Sequence, residues 1–540
     1  MKALNEAVAK IKNGIVSVVL TNDTNNEYQM TIEEYLEFAE NLGLKTFFHS
    51  FIVNGAELTP FLLNNKYTSI PSQEKFSRKK RLFKRIDDDN GLIVRMEVRT
   101  NSKVVAFYDS KRLLNFNIEE LKEAFGFDGT DLQVVAKCIA FMREQGHTKN
   151  SISACAFHDF MGQDKFKSSN YSNQTMFKRI FPTLEQPIEE FVRRSYRGGW
   201  CYLKEEHKNK RGTKGFTYDV NSLFPYVMNE MPLPLYEPVE FYGEYQHDER
   251  YPLFIQEVIV DWMVLKPGKF PFLTSDFFFD KFLEDDYIVK ATKPVRFVLT
   301  NVDLELLKEC YEFGNIEYRK GYKFKASKVI FKEYIEKWGT LKKTSKGAKR
   351  QLAKLFLNSL YGRFALKNEF MDYIFTLDTK GVEKKEFVAE YKDDKMISYV
   401  PLASFITSYA RAITIKSAIA NYENFIYADT DSLHLTKEAV GIVVDDNELG
   451  AWKLEKEFDD SLFLGLKCYA EHDKDGWEFK IAGLPQDATE QLNITQFYIG
   501  SKVNYQVSTK TPTGSEVVVR QFEIGKKIMG KLKFKQDIKQ

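Results

Sequence analysis

Apolar and polar positions alternate over several short stretches of this chain, and each such stretch predicts a strand. Ile15-Val-Ser-Val-Val-Leu20 and Lys103-Val-Val-Ala-Phe-Tyr108 are two of them. Asn424-Phe-Ile-Tyr427 and Ser432-Leu-His-Leu435 are two more, and the residues between them predict a tight hairpin turning on Asp429-Thr-Asp431. Helical spacing alternates with these strands. Thr31 to Leu42 reads as an amphipathic helix with Thr31 as N-cap and Glu34 completing a capping box. Asp131 to Met142 reads as a second helix, and Ser404 to Arg411 opens a third that leads into the hairpin. Gly347 to Gly362 is a strong helix pattern in which Arg350, Lys354, Asn358 and Tyr361 share one face. Leu352, Leu355, Phe356 and Ser359 lie on another face, and Gly362 is read as the stop. The alternation of strands and helices before about residue 190 predicts an α/β layer domain.

At 540 residues the chain exceeds what one core organises, so several domains are expected. The formal charge of +2 gives no global attraction to an acidic partner. Charge matters locally instead. Between Arg319 and Lys354 only Glu333 and Glu336 oppose a dense run of Lys and Arg, and Lys75–Arg85 and Gly525–Lys535 are also basic. The 5 Cys contain no C-x-x-C pair, which argues against a disulfide framework or zinc site and for a reducing cytoplasm. No apolar run reaches about 18 residues, so neither a signal peptide nor a membrane span is expected.

The candidate chemistry is carried by carboxylates at strand ends. Phe216-Thr-Tyr-Asp219 ends in Asp219, and Val220-Asn-Ser222-Leu-Phe224-Pro225 then offers free backbone N–H groups. Asp219 and Asp431 together suit two divalent cations, which would stabilise an attacking 3′-hydroxyl and a leaving pyrophosphate. Arg350 and Lys354 supply cations for a triphosphate, and Tyr361 supplies a ring for its base. The glycines of Tyr196-Arg-Gly-Gly199 let backbone approach a ligand closely. Leu466-Lys467-Cys-Tyr469 presents a cation and an aromatic in period two, on one face of a strand. No general-base histidine is required, and only His434 lies near these motifs.

Three strings occur in order: D-x-x-S-L-[YF]-P at Asp219–Pro225, K-x-x-x-N-S-x-Y-G at Lys354–Gly362 and Y-x-D-T-D-S at Tyr427–Ser432. They resemble the polymerase motifs of family B DNA polymerases, above all the protein-primed branch of tailed Bacillus-type phages. The likeness extends to Tyr196–Gly199, Asn301–Glu309, Thr407–Arg411 and Lys467–Tyr469, and covers nearly all of the chain from about residue 45. It implies an α+β multidomain right hand of palm, fingers and thumb behind an α/β, RNase H-like exonuclease domain. The implied divisions are 1–160 degenerate 3′–5′ exonuclease-like domain, 161–230 linker and first part of the palm, and 231–329 first terminal-protein-region insertion. They continue as 330–365 fingers, 366–400 second insertion for strand displacement, 401–485 second part of the palm, and 486–540 thumb.

The resemblance also implies roles for single residues. Asp219, the Val220 carbonyl and Asp431 would hold two Mg²⁺ ions, with Mn²⁺ as substitute, and Asp429 would stand beside them as a third catalytic carboxylate. Ser222, Leu223, Phe224, Arg350, Lys354, Asn358 and Tyr361 would bind the incoming dNTP. Tyr196, Gly198, Gly199, Ser359, Gly362, Thr407, Arg411, Lys467 and Tyr469 would hold the primer-template. Phe224 stands where the family usually has the Tyr that excludes ribose, and its bulk should preserve that discrimination. The implied partners are primer-template DNA, dNTPs and a terminal protein whose hydroxyl primes synthesis. The implied setting is a monomer in a host cell's cytoplasm, without a membrane.

The departures lie in the N-terminal domain. Asn54 stands where the second exonuclease motif has Asp, and Phe127 where the third has Tyr four residues before Asp131. Asp109 and Asp131 match. No Asp-x-Glu pair precedes Phe48-His-Ser-Phe-Ile-Val-Asn-Gly55, and the chain starts too late to hold one. Two carboxylates do not assemble a two-metal site, so the nuclease is expected to be inactive. Two further readings stay open: a polymerase extending ordinary 3′-OH primers, for repair or damage bypass, and a non-catalytic DNA-binding protein.

Overall fold

Eight strands near the N-terminus form one sheet, ordered Asp23–Thr31, Ile15–Leu20, Glu6–Lys12, Lys45–Phe48, Val104–Asp109, Ile93–Arg99, Leu82–Asp87 and Thr68–Ser69. This is a computed structural model, and it describes residues 5–77, 81–87, 93–274, 281–284, 287–367, 369–379, 381, 383–392, 397–484, 486–511 and 514–525. Of the basic stretches, residues 78–80 and 526–535 lie outside these. Glu6–Lys12, Lys45–Phe48 and Val104–Asp109 run parallel at the centre of the sheet. Their side chains alternate between two cores, as the pleat requires. Val8, Val19 and Phe47 pack on the side of helix Asp131–Glu144, whereas Ala7, Val18 and Phe48 pack with Ile32, Tyr35 and Leu36 of helix Ile32–Leu42. Thr31 and Glu34 close the expected capping box.

A second sheet is antiparallel and five-stranded: Trp452–Phe458, Gly215–Val220, Ser432–Leu435, Phe425–Asp429 and Cys201–Leu203. Helix Val400–Ala420 lies behind it and is buried over most of its length, which explains why it lacks a polar face. Helices Lys332–Thr344 and Gly347–Ser359 pack side by side, with Trp338 against Phe356 at 4.1 Å. The second helix ends at Ser359, not at Gly362. Burial of Phe364 draws the chain into a tight turn over Tyr361–Ala365, and Gly362 sits inside that turn.

Two four-stranded sheets occupy most of the segment from Leu233 to Ser327. Strands Glu369–Leu377 and Glu383–Lys392 form a hairpin that is clasped to the N-terminal sheet. Buried Asp372 accepts hydrogen bonds from the Ser72 and Gln73 amides at 2.8 and 3.3 Å. Arg85, also buried, bridges Asp87 and Glu383 at 2.7 Å each, with its guanidinium 4.3 Å from the Phe375 ring. The chain closes with a three-stranded sheet, Asp460–Gly465, Cys468–Asp473 and Gly476–Ile481, and the hairpin Lys502–Thr511 with Gly514–Glu523. The whole is an α+β multidomain protein. Its five cysteines are buried and free. Among the described residues no helix is long and apolar enough to cross a membrane.

Candidate active site

Sheet register brings the distant carboxylates together. Asp219 and Asp429 both stand opposite Ser432, one on each side of the central strand Ser432–Leu435. The hairpin folds back sharply between them: Thr430 has φ 59, and the Asp431 N–H donates to the Asp429 carbonyl at 2.7 Å, closing a γ-turn. Left-handed backbone at a β-branched residue is strained, and its surroundings hold it there. The Thr430 N–H donates to the Trp200 carbonyl at 2.7 Å. The Thr430 carbonyl accepts from Thr414 Oγ1 at 2.7 Å. The Thr430 side chain lies on Gly199, where a Cβ would come within 2.7 Å of its Cγ2. The Val220 N–H donates to the Asp431 carbonyl at 2.8 Å, tying the two carboxylate-bearing segments to each other.

Electrostatics show what this arrangement lacks. Burial, and next the neighbouring Asp431, push Asp219 up to about 7. Burial, followed among the raising causes by Asp429, pushes Asp431 up to about 6. Two half-buried acids that hold their protons this strongly are short of positive charge. Among the described residues no three His, Cys, Asp or Glu side chains are placed to hold a metal, so a cation at Asp219 and Asp431 would need other oxygens to complete its shell. Asp429 differs: Lys467 Nζ holds both of its oxygens.

Opposite these acids is a cluster of cations. Arg350, Lys354 and Asn358 are exposed on helix Gly347–Ser359. Lys342, on the preceding helix, donates to Ser222 Oγ at 3.0 Å. Burial, then Lys354 and Arg350, lower its proton affinity, while Asp219 raises it. Lys342 thus lies near both expected triphosphate cations and Asp219. The sequence pattern missed it because it belongs to a different helix from Lys354, and the cationic run was the only signal for it. Glu455 was missed as well; it lies near enough to Asp219 to raise that group further. Ser222 adopts φ 57 and turns the chain into helix Leu223–Glu230. The Phe224 and Tyr361 rings stack at 4.1 Å and 20°, closing the cluster with aromatic surface. Ser359 is half-buried on the same helix as Lys354.

Several expectations need correction. Thr407 and Arg411, expected at the primer-template, are both buried. Arg411 pairs with buried Asp303 at 2.7 Å and donates to the Arg197 and Gly198 carbonyls at 2.8 and 2.9 Å, so it shapes the Tyr196-Arg-Gly-Gly loop from within. Gly199 is spent on the close approach of Thr430, whereas a Cβ at Gly198 would meet open space. Tyr196 is half-buried in the same loop. Lys467 is in a turn, at φ 55, not on a strand face; the strand begins at Cys468. Tyr469 packs on Tyr427 at 5.1 Å and on Phe463 at 5.3 Å.

In the N-terminal domain a strand does occupy the place beside Lys45–Phe48, contrary to the expectation that the chain starts too late. It is Glu6–Lys12, which holds no Asp-x-Glu pair, and its Glu6 is bound to Arg143 at 2.7 Å. Asp109 accepts the Phe51 and Lys111 amides at 3.0 and 2.8 Å. Asn54 donates to the His49 carbonyl. Asp131 is exposed on the first turn of its helix, and Phe127 packs on Phe125 and Phe141.

The family model "DNA polymerase type B, organellar and viral" matches residues 148–446, more than half of the chain, and the chain belongs to that family. The DNA polymerase of Bacillus phage phi29 is 36% identical over 394 residues, 71% of this chain and 65% of that one. That of Bacillus phage Nf is 37% identical over 357 residues, 64% of this chain and 59% of the relative, so the chain spans about three fifths of that relative's length. That of Streptococcus phage Cp-1 is 26% identical over 510 residues, 87% and 86% of the two chains. Among solved structures, phi29 DNA polymerase complexed with primer-template DNA superposes with TM-score 0.85 at 26% identity, covering 97% of this chain and all of that one.

Proposed function

We propose that the chain is a template-directed DNA polymerase, primed by the hydroxyl of a terminal protein, able to displace the strand ahead of it and without 3′–5′ proofreading. The observation that carries this reading is the pairing of Asp219 with Asp431 across from Lys342, Arg350 and Lys354. Two Mg²⁺ ions bound at Asp219, the Val220 carbonyl and Asp431 would supply Lewis-acid stabilisation of the attacking and leaving oxygens. The chain's own groups do the rest. Lys342, Arg350 and Lys354 neutralise and orient the triphosphate, with the backbone of Leu223, whose side chain is buried, and Asn358 lining its place. Tyr361 and Phe224 form the flat surface against which the nascent base pair and its sugar are placed. Lys467 and Tyr469 hold the primer end, with Tyr196, Gly198, Ser359 and Gly362 beside the duplex. On this reading, residues 161–230 and 401–485 are the palm, 330–365 the fingers, 486–540 the thumb, and 231–329 and 366–400 the two insertions. The first 160 residues are a nuclease-like domain in which Asp109 caps backbone amides and Asn54 and Phe127 stand in place of the family's Asp and Tyr.

Extension of a primed template by the wild type, lost in Asp431→Ala, tests the polymerase reading; equal activity would overturn it. Covalent transfer of dNMP to a supplied terminal protein tests priming, and extension of 3′-OH primers without such transfer would favour the repair reading. Degradation of a mismatched 3′ end that Asp131→Ala abolishes would overturn the loss of proofreading.

A further inference from the structure

Tyr236 stands where a bulge would ordinarily place glycine. Strand Leu233–Phe241 pairs Leu235 with Lys325, and the register then jumps so that Val239 faces Lys323. Tyr236, Glu237 and Pro238 therefore oppose Phe324 alone, and Tyr236 takes up the bend at φ 63. Bulges re-aim side chains and recur beside active sites, and their left-handed position favours glycine. A bulky residue there is a rare strain that its surroundings must hold. They do so here: the Tyr236 carbonyl accepts from the hydroxyl of buried Tyr399 at 2.7 Å. The Tyr399 N–H in turn donates to the Phe364 carbonyl at 3.1 Å, in the turn that begins with Tyr361.

The strain leaves the ring in solvent, with Tyr236 41% exposed. Lys325 Nζ lies 5.5 Å from its centroid and 5.9 Å from that of Tyr251, so one cation serves two rings. Of the neighbouring acids, Glu240 is matched by Lys320 at 2.6 Å and Asp248 by Lys323 at 2.8 Å, while Glu237, in the bulge itself, makes no ion pair among the described residues. Lys325 makes no ion pair among the described residues, and Lys328 beside it is exposed. Flat aromatic faces next to unmatched lysines suit unpaired nucleotides, because every base has a face to stack and every linkage a phosphate to pair.

We propose that Tyr236, Tyr251 and Lys325 form a stacking site for unpaired template nucleotides. The proposal rests on the polymerase reading above, and binding measured without dNTP separates the two. The full chain is titrated with primer-template carrying a single-stranded template overhang of about ten nucleotides, and with the same duplex whose overhang is cut to the templating base. Tyr236→Ala and Tyr236→Gly should each weaken binding of the long overhang about tenfold and leave the short one unchanged, whereas Tyr236→Phe and Tyr236→Trp should match the wild type. Tyr236→Gly should melt higher than Tyr236→Ala, since both lose the ring but only glycine relieves the backbone, so the binding loss cannot be ascribed to misfolding. Lys325→Gln should lower the salt dependence of long-overhang binding by about one phosphate contact. Equal losses on both substrates, or no loss, would overturn the proposal. So would unchanged DNA binding with loss of dNMP transfer to a terminal protein, which would make the patch a protein-docking surface. Absent catalysis in the wild type would count against the polymerase reading alone.

Discussion

Lys467 Nζ lies 2.5 and 2.6 Å from the two carboxylate oxygens of Asp429, so one acid of the Asp-Thr-Asp hairpin is matched while Asp431 is left to a different counter-charge. The two acids should therefore be unequal in mutation. Asp429→Asn should slow single-nucleotide incorporation about tenfold, whereas Asp431→Asn and Asp219→Asn should slow it about a thousandfold, the scale on which removal of transition-state charge stabilisation is felt. Comparable losses at all three positions, in single-turnover kinetics, would refute the inequality.

Gly199 and Thr430 should behave as one unit. Gly199→Ala drives a Cβ into the Thr430 side chain and displaces the hairpin, and a shift of about 1 Å at a reacting centre costs on the order of a hundredfold in rate. Thr430→Gly removes the obstacle and suits φ 59. The double variant should thus regain most of the activity that Gly199→Ala loses, a coupling that a double-mutant cycle measures directly.

Arg411 and Asp303 are both buried, and the pair joins helix Val400–Ala420 to helix Asn301–Cys310. Removing either partner strands a charge in the interior. Arg411→Ala or Asp303→Ala should each destabilise the fold by about 3–5 kcal/mol, visible as a lower thermal midpoint. Arg411→Lys should rescue little, because one ammonium cannot reach Asp303 and the Arg197 and Gly198 carbonyls with the guanidinium's geometry. A direct DNA contact would give the reverse pattern, with full stability and weaker binding.

His49 gives the fold an acid-sensitive element. Burial, and next Lys111, lower its pKa from 6.5 to about 4. As pH falls below about 6.5 the unfolded chain gains a proton that the folded state refuses, so stability is lost between about pH 6.5 and 4, by about 3 kcal/mol in all. Below that range both states are protonated and the loss stops. His49→Gln should flatten the fall in thermal midpoint between neutral pH and pH 4.5; an unchanged slope would show that other groups govern it.

What the sequence made legible had its partners close by or in register. The capping box needs only Thr31 and Glu34. The strands beside Asp219 and Asp429 announce themselves by period two. What stayed hidden depended on distant partners. Arg411 reads as a free cation because Asp303, which neutralises it, lies 108 residues away. Lys467 reads as part of a strand because alternation runs on through the turn, and only its φ of 55 breaks it. Lys342 reaches its neighbours by helix packing, which has no periodicity in the chain.

The clasp around Arg85 bears on how such a chain can change over generations. Deleting the N-terminal sheet would leave Glu383 without its guanidinium and Asp372 without the Ser72 and Gln73 amides, stranding two acids on a hairpin elsewhere in the protein. A lineage can exchange Asn54 or Phe127 one residue at a time, but it cannot discard the sheet in one step without harming a distant element. Single side chains and architecture are therefore inherited on separate terms: positions such as 54 and 127 can change singly, while the sheet is retained.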